Sequence, residues 1–87
     1  MFYVYVIYSE KLRKRYIDRT DDLLSRIKQH NNGGSNFTSR GMPWKLIYYE
    51  AFLVKKDAIV EEKFLKTGKG REGLKFLLKN TAEELGL

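Results

Sequence analysis

The 87-residue sequence contains no cysteine and only one proline. Without thiols the chain has no disulfide bond, no thiolate zinc site and no cysteine nucleophile. No apolar run reaches the roughly 20 residues that a membrane-spanning helix needs. The strand-like start, Phe2–Tyr8, also lacks the basic segment that precedes the apolar part of a signal peptide. The sequence therefore predicts a cytoplasmic protein that does not contact membranes.

Lysine and arginine outnumber aspartate and glutamate by 17 to 11, which gives a formal net charge of +6. A surplus of this size favours polyanionic partners such as nucleic acid. Hydrophobic residues make up 43% of the chain, enough for a thin core in one small domain. We assign residues 1–80 to that domain and residues 81–87 to a C-terminal tail.

Hydrophobic periodicity predicts the element order strand, strand, helix, strand, helix, helix. Thr20 and Asp57 are expected to cap the first two helices. Gly68–Gly70 is expected to end the second helix before the third begins. The predicted elements are strands at Phe2–Tyr8, Arg15–Ile17 and 45–54, and helices ending near His30, following Asp57 and starting near Arg71. This order indicates an α+β fold with a small three-stranded antiparallel sheet flanked by helices.

Two pairs of residues stand out as candidates for chemistry. Tyr5 and Tyr16 lie on the two strands of the predicted hairpin, where they could meet on one face of the sheet or simply serve as core aromatics. Arg26 and His30 are four residues apart on one helix face. This second pair could bind phosphate and transfer protons, or form an ordinary solvated surface.

A third candidate is Glu62, on the helix that follows the third strand. Its carboxylate could hold Mg²⁺ or Mn²⁺ beside phosphate oxygens, because these ions prefer oxygen ligands. The alternative is an outward glutamate that pairs with Lys66 one turn later. The sequence alone leaves both interpretations open.

Taken in order, these residues resemble the GIY-YIG nuclease domain. The first triplet of that family corresponds to Tyr3-Val4-Tyr5 and the second to Tyr16-Ile17-Asp18, and Arg26, His30 and Glu62 follow on helices as the family pattern requires. The resemblance covers residues 2 to 78, which is nearly the whole chain.

The resemblance implies hydrolysis of DNA phosphodiester bonds with a single divalent ion, Mg²⁺ or Mn²⁺. Glu62 would ligate the metal. Tyr5 would act as general base toward the attacking water while Tyr16 positions water or phosphate, although these two roles could be exchanged. A tyrosine with its ordinary pKa near 10 is a poor base at neutral pH, so a nearby cation would have to assist it.

The family pattern also implies roles for the basic side chains. Arg26 would supply the nearby positive charge and stabilise the transition state, and His30 would assist proton transfer or hold phosphate. Arg40 and Lys66 are candidate contacts to the nucleic-acid backbone. Trp44 is expected to pack in the core and not to stack on a base.

One departure from the family pattern concerns the second triplet, where Asp18 stands in place of the expected glycine. If the position required a positive φ angle, an aspartate would cost stability. Its carboxylate could add a second charge near the metal or repel the phosphate of DNA. The asparagine that larger members carry after the metal-binding helix is not evident either.

These observations predict a metal-dependent DNA endonuclease or nickase that tolerates many DNA structures and has no sequence specificity of its own. DNA is the expected partner, and a protein partner would supply any specificity. The main alternative is a catalytically weak or inactive nucleic-acid-binding module of the same fold. A third is a protein-interaction domain that has no role with nucleic acid.

Overall fold

The central feature of the protein is a three-stranded antiparallel sheet with helices on both faces, seen in a computed structural model that describes all residues 1–87. Strand β1 lies in the middle of the order β2–β1–β3. The elements are β1 (Phe2–Ser9), β2 (Lys14–Thr20), α1 (Leu23–Asn31), a short 3₁₀ helix (Ser39–Gly41), β3 (Trp44–Phe52), α2 (Lys55–Leu65), α3 (Gly68–Leu77) and α4 (Lys79–Leu85). The predicted α+β class, antiparallel sheet and element order are confirmed. No helix is both long enough and apolar enough to cross a membrane.

Strand β1 is apolar on both faces because both faces are covered. Val4 and Val6 pack on the side of α2, α3 and Leu78, whereas Tyr5 and Ile7 pack on the side of α1 and Trp44. All four β1 side chains are fully buried. Side chains alternate between faces along a strand, so this arrangement fixes Tyr5 on the α1 side.

The pairing between β1 and β2 decides which residues share a face with Tyr5. Tyr5 lies opposite Asp18 and Ile7 lies opposite Tyr16. Directly paired residues point to the same face of a sheet, so Tyr5, Tyr16 and Asp18 all project toward α1. The intervening Ile17 belongs to the opposite core, and by the same alternation Arg19 faces α2.

Two predicted helix caps were wrong. Strand β2 pairs with β1 as far as Thr20, so Thr20 ends the strand and Asp22 caps α1 by accepting a hydrogen bond from the Ser25 backbone N–H at 3.2 Å. Asp57 lies in the first turn of α2, which begins directly after Val54. In both cases the helix begins at a different residue from the one that local capping preference indicates.

The break predicted at Gly68–Gly70 is the start of α3. Thr67 caps this helix, and its side chain accepts a hydrogen bond from the Gly70 N–H at 3.1 Å. A Cβ atom at Gly70 would collide with the Phe64 carbonyl, so glycine permits the close approach of α3 to the end of α2. Helix α4 spans the boundary expected after residue 80, and residues 81–85 continue it.

One partly buried carboxyl group, that of Glu50, lies away from these features. Glu50 pairs with Val4 and therefore faces the α2 layer, where its Oε1 atom is buried without a hydrogen-bond partner. Burial and the neighbouring Glu61 carboxyl raise the pKa of Glu50 to about 7. Because the folded-state pKa lies above the unfolded value, protonation of Glu50 favours folding. This contribution is complete below the unfolded pKa and is lost as pH rises through about 7.

We therefore expect Glu50→Gln to stabilise the protein at pH 8 by about 1–2 kcal/mol relative to wild type, and to have little effect at pH 5. Urea unfolding at the two pH values measures this difference. The exposed Glu10, replaced by glutamine, is the matched control. Equal effects of Glu50→Gln at both pH values would show that ionisation of Glu50 does not oppose folding.

Candidate active site

The first part of the site is a chain of three buried side chains from three different segments. The Tyr5 hydroxyl lies 2.7 Å from His30 Nε2, and His30 Nδ1 lies 2.8 Å from Thr38 Oγ1. Each of the three side chains is at most 1% exposed. Strand β1, the last turn of α1 and the loop before β3 thus meet at one hydrogen-bonded line.

Arg26 is the one group whose direction of donation to this line is certain. Its Nε–H donates to the Tyr5 oxygen over a long 3.4 Å contact, and an arginine side chain can only donate. We assign the Tyr5 hydroxyl proton to the bond with His30 Nε2, which in this assignment is the acceptor. His30 then carries its own proton on Nδ1 and donates it to Thr38 Oγ1.

The pKa shifts agree with a neutral pair. Burial, followed by the positive charge of Arg26, lowers the pKa of His30 below its usual 6.5. Burial raises the pKa of Tyr5 to about 12, with the Asp18 carboxylate adding to the rise and Arg26 opposing it. At neutral pH, His30 is thus an available proton acceptor and Tyr5 is a hydroxyl that ionises only with help.

Asp18 lies on the solvent side of this line and accepts hydrogen bonds from the two side chains next to it, Tyr16 and Arg26. Its Oδ2 atom accepts from the Tyr16 hydroxyl at 3.2 Å and from Arg26 Nη2 at 3.4 Å, while Oδ1 accepts from the Arg19 backbone N–H at 2.8 Å. Burial first, and then Asp18, raise the pKa of Tyr16. The carboxylate therefore occupies the donors of Tyr16 and Arg26 that an anionic substrate would use.

The substitution of glycine by Asp18 does not strain the backbone. The only non-glycine residue with a positive φ is Arg13, in the β1–β2 turn. Asp18 lies within β2 and pairs regularly with Tyr5. The effect of the aspartate is thus electrostatic and steric, confined to the site.

The loop before β3 is held in place by Asn31 and Trp44. The Asn31 side chain accepts from the Trp44 backbone N–H at 2.6 Å and donates to the Trp44 carbonyl at 3.0 Å. The Trp44 indole N–H donates to the Thr38 carbonyl at 2.7 Å. Trp44 is 6% exposed, which confirms the predicted packing role. Together these bonds fix Thr38 against His30.

Glu62 lies on the other face of β2, at the rim of the site. Its Oε1 atom accepts from Arg19 Nε at 3.0 Å, and its Oε2 atom accepts from Lys66 Nζ at 2.7 Å. The side chain is 14% exposed. The ion pair with Lys66 is the one that the sequence offered as the alternative to a metal site. The ion pair with Arg19 was not indicated by the sequence.

The single carboxylate of Glu62 suits a hard divalent ion that takes most of its ligands from water and substrate phosphate. Mg²⁺ commonly binds one or two carboxylates and fills its other positions with water and phosphate oxygens. No cluster of three histidine, cysteine, aspartate or glutamate side chains forms a closed metal cage. A metal at Glu62 would have to displace Arg19 or Lys66 from one carboxylate oxygen.

A pocket of about 320 Å³ connects the two faces at the end of β2. Arg26 lines it from α1 and Arg19 from β2, and Lys55 lines it from the start of α2. Asp21 is the one acidic residue of the lining. Three cations around one small pocket suit a phosphate group.

The structure thus groups Tyr5, Tyr16, Arg26 and His30 within one hydrogen-bonded cluster and places Glu62 and Lys66 together beside it. Arg40 is exposed on the 3₁₀ helix and makes no ion pair or side-chain hydrogen bond. Sequence reasoning missed Thr38 and Arg19. The position of Thr38, a polar residue shortly after the Asn31–Gly34 loop, was a weak signal for its contact with His30. The side of the sheet that Arg19 faces could have been found from the β1–β2 register.

Comparisons with known proteins agree with this geometry. A family model described as the GIY-YIG catalytic domain matches residues 1–75. A UPF0213 protein from Pediococcus acidilactici is 35% identical over 82 residues, which cover 91% of this chain and 83% of that protein. A UPF0213 protein from Clostridium perfringens is 40% identical over 67 residues, covering 76% of this chain and 71% of that protein.

A solved structure shows the same fold. The solution NMR structure of a UPF0213 protein from Bacillus halodurans superposes with a TM-score of 0.56 at 31% sequence identity. The match covers 88% of this chain and 85% of that one.

Proposed function

The chain belongs to the GIY-YIG family, and from that premise we propose that it is a divalent-metal-dependent nuclease that hydrolyses phosphodiester bonds of DNA. The observation that carries the proposal is the buried line from Tyr5 through His30 to Thr38, with Arg26 donating to the tyrosine oxygen. A core that needed only packing would have no reason to bury a histidine between two hydroxyl groups.

The proposed proton transfer runs along that line. As water attacks the phosphorus atom, its proton passes to the Tyr5 oxygen while the Tyr5 hydroxyl proton passes to His30 Nε2. Tyr5 stays neutral throughout, so its pKa of about 12 does not prevent the reaction. His30 becomes cationic, and its bond to Thr38 holds the ring in the required orientation.

Arg26 covers Tyr5 in the observed arrangement, in which Tyr5 has no exposed surface. Substrate phosphate would draw Arg26 away from Asp18, because a guanidinium binds phosphate through two parallel hydrogen bonds. This movement would both expose the Tyr5 hydroxyl and place a positive charge on the phosphate. Tyr16, released by Asp18 at the same time, could donate to a phosphate oxygen.

Glu62 would hold the metal, with Arg19 and Lys66 turning toward phosphate as they leave the carboxylate. When bound there, Mg²⁺ or Mn²⁺ would offset negative charge on the scissile phosphate and the leaving oxygen. Lys55, on the lining of the pocket at the end of β2, would bind the flanking backbone. Because these contacts address phosphates and not base edges, the cleavage would not depend on sequence.

The test is nicking of supercoiled plasmid with Mg²⁺ or Mn²⁺, and with EDTA. We expect slow nicking that EDTA stops and that Glu62→Gln lowers by about 10³-fold. Lys45→Gln, an exposed change on β3, is the control and should leave the rate unchanged. Nicking that persists in EDTA or in Glu62→Gln would contradict the proposed role of the metal site.

A second candidate function has support from three ion pairs. Asp18 occupies Arg26, and Arg19 and Lys66 occupy both oxygens of Glu62. If these ion pairs persist when DNA binds, the protein is a nucleic-acid-binding module that does not cut. In that case wild type and Glu62→Gln bind DNA equally in EDTA, and neither nicks plasmid with any metal.

A further inference from the structure

A second basic surface lies away from the catalytic cluster, between the β1–β2 turn and helices α3 and α4. It is an open groove of about 970 Å³, and we call it the hairpin–helix groove. Six cationic side chains and one acidic side chain, Glu83, line it. The cations are Arg13, Lys14, Arg15, Arg71, Lys75 and Lys79.

The helical half of the groove follows from residue spacing. Arg71, Lys75 and Lys79 are four residues apart and so form a stripe along one side of α3 and the start of α4. Leu74 of α3 and Leu78, between α3 and α4, are buried in the core and fix the orientation of this segment. The stripe is about 12 Å long, which is the axial length of three to four phosphates on one DNA strand.

None of the six cations forms an ion pair. The three ion pairs of the protein involve Arg19, Arg26 and Lys66 instead. The one hydrogen bond from a groove cation joins Arg71 Nε to the Lys66 carbonyl at 3.2 Å. Six like charges with only Glu83 as a counter-charge repel one another, and a bound polyanion would relieve that repulsion.

Two contacts relate the groove to the candidate active site. Arg71 contacts the Lys66 backbone, and the Lys66 side chain pairs with Glu62. On the opposite wall, Ile17 of β2 lines the groove. Its sequence neighbours Tyr16 and Asp18 point to the other face of β2, toward the site. A backbone lying in the groove would therefore lead toward Glu62.

The exposed part of the groove suits a nucleic acid better than an acidic protein segment. Tyr8, Ile17 and Leu74 are buried in its floor, and Leu87, which is 37% exposed, is the most exposed apolar residue of its lining. A single exposed apolar side chain offers a protein partner few anchors, whereas six cations without ion pairs suit a DNA backbone, which is bound by charge.

From these observations we infer that the hairpin–helix groove binds the phosphate backbone of a duplex arm that flanks the cleaved bond. The inference rests on the proposed function for the identity of the polyanion. It adds a substrate requirement: the DNA extends as duplex beyond the scissile phosphate on the side of α3. Cleavage near the end of a short duplex would lose this contact.

Binding of a fluorescent 20-base-pair duplex in EDTA, measured by anisotropy from low to high salt, tests the inference without any cleavage. We expect Lys75→Gln/Lys79→Gln to weaken binding about tenfold or more and to reduce the log–log salt slope by nearly 2, since each phosphate contact contributes about 0.9. Lys45→Gln/Lys56→Gln removes the same charge from exposed positions elsewhere and should change affinity less than about twofold. Lys75→Arg/Lys79→Arg, which keeps the charge, should bind like wild type.

Equal salt slopes in the groove variant and the control, or no duplex binding by wild type, would overturn the inference. Poly-glutamate is included as a competitor. Tighter groove-dependent binding of poly-glutamate than of duplex would assign the groove to an acidic protein instead. Groove-dependent duplex binding with no plasmid nicking would contradict the nuclease proposal alone, so the two failures are distinguishable.

Discussion

Asp18→Gly is expected to raise the rate of DNA nicking by about 10- to 100-fold at neutral pH. Asp18 accepts hydrogen bonds from Tyr16 and Arg26, and its charge raises the pKa of both Tyr5 and Tyr16. Removing the carboxylate frees Arg26 for phosphate and removes a negative charge that repels the substrate. Single-turnover nicking of supercoiled plasmid with saturating Mn²⁺ measures the change.

Asp18→Asn separates charge from space in this prediction. The amide has nearly the same shape but no charge, so it should give part of the increase if electrostatics dominates. A glycine inside β2 costs roughly 0.5–1 kcal/mol of stability, which thermal unfolding will detect and which should not limit the assay. A rate for Asp18→Gly equal to or below wild type would show that Asp18 does not restrain the site.

Tyr5→Phe and His30→Gln are expected to lower the nicking rate by about 10²- to 10⁴-fold each. Tyr5→Phe removes the hydroxyl that passes the proton, and His30→Gln removes the acceptor. Buried partners left without hydrogen bonds also cost about 1–3 kcal/mol of stability, so both variants need a folding check. Tyr16→Phe should have a smaller effect, because its hydroxyl is not part of the buried line.

The pH profile identifies the proton acceptor. The pKa of His30 is lowered below 6.5 by burial and by Arg26, so the wild-type rate should rise with pH below 6.5 and level off above it. If Tyr5 had to ionise unaided, the rate would keep rising about tenfold per pH unit toward its pKa of about 12. A continued rise above pH 7 would contradict the proposed role of His30.

The sequence predicted the central strand and the cluster beside it for identifiable reasons. Both alternating sets of β1 are apolar, a pattern typical of a strand that is covered on both faces or uses one face for a site, and the hairpin predicted from the first two strands could bring Tyr5 and Tyr16 to one face. Helical spacing placed Arg26 and His30 together. The structure confirms these groupings, whereas the catalytic roles of the four residues stay predictions.

The contacts that control the site could not be predicted from local patterns. Asp18 meets Tyr16 and Arg26 only because the β1–β2 register puts it on the α1 face, and a slip of one residue would reverse every side chain. Thr38 reaches His30 because Asn31 and Trp44 fix an otherwise irregular loop. Such long-range contacts carry no periodic signal in the sequence.

The contacts of Glu62 illustrate the same limit. Lys66 is one helical turn away and was an evident partner, but Arg19 is 43 positions distant and approaches from another element. Capping signals failed at Thr20 and Asp57 because strand pairing extended β2 and α2 started earlier. Local preference was overridden by tertiary structure in both cases.

The most direct test of the account compares the single-turnover nicking rate of Asp18→Gly with that of Asp18→Gly/Tyr5→Phe at saturating Mn²⁺. The account predicts a rate at least about 100-fold lower in the double variant, because the buried line from Tyr5 to His30 can no longer accept the proton of the attacking water. Equal rates in the two folded proteins would show that any hydrolysis proceeds without Tyr5 and would contradict the proposed mechanism.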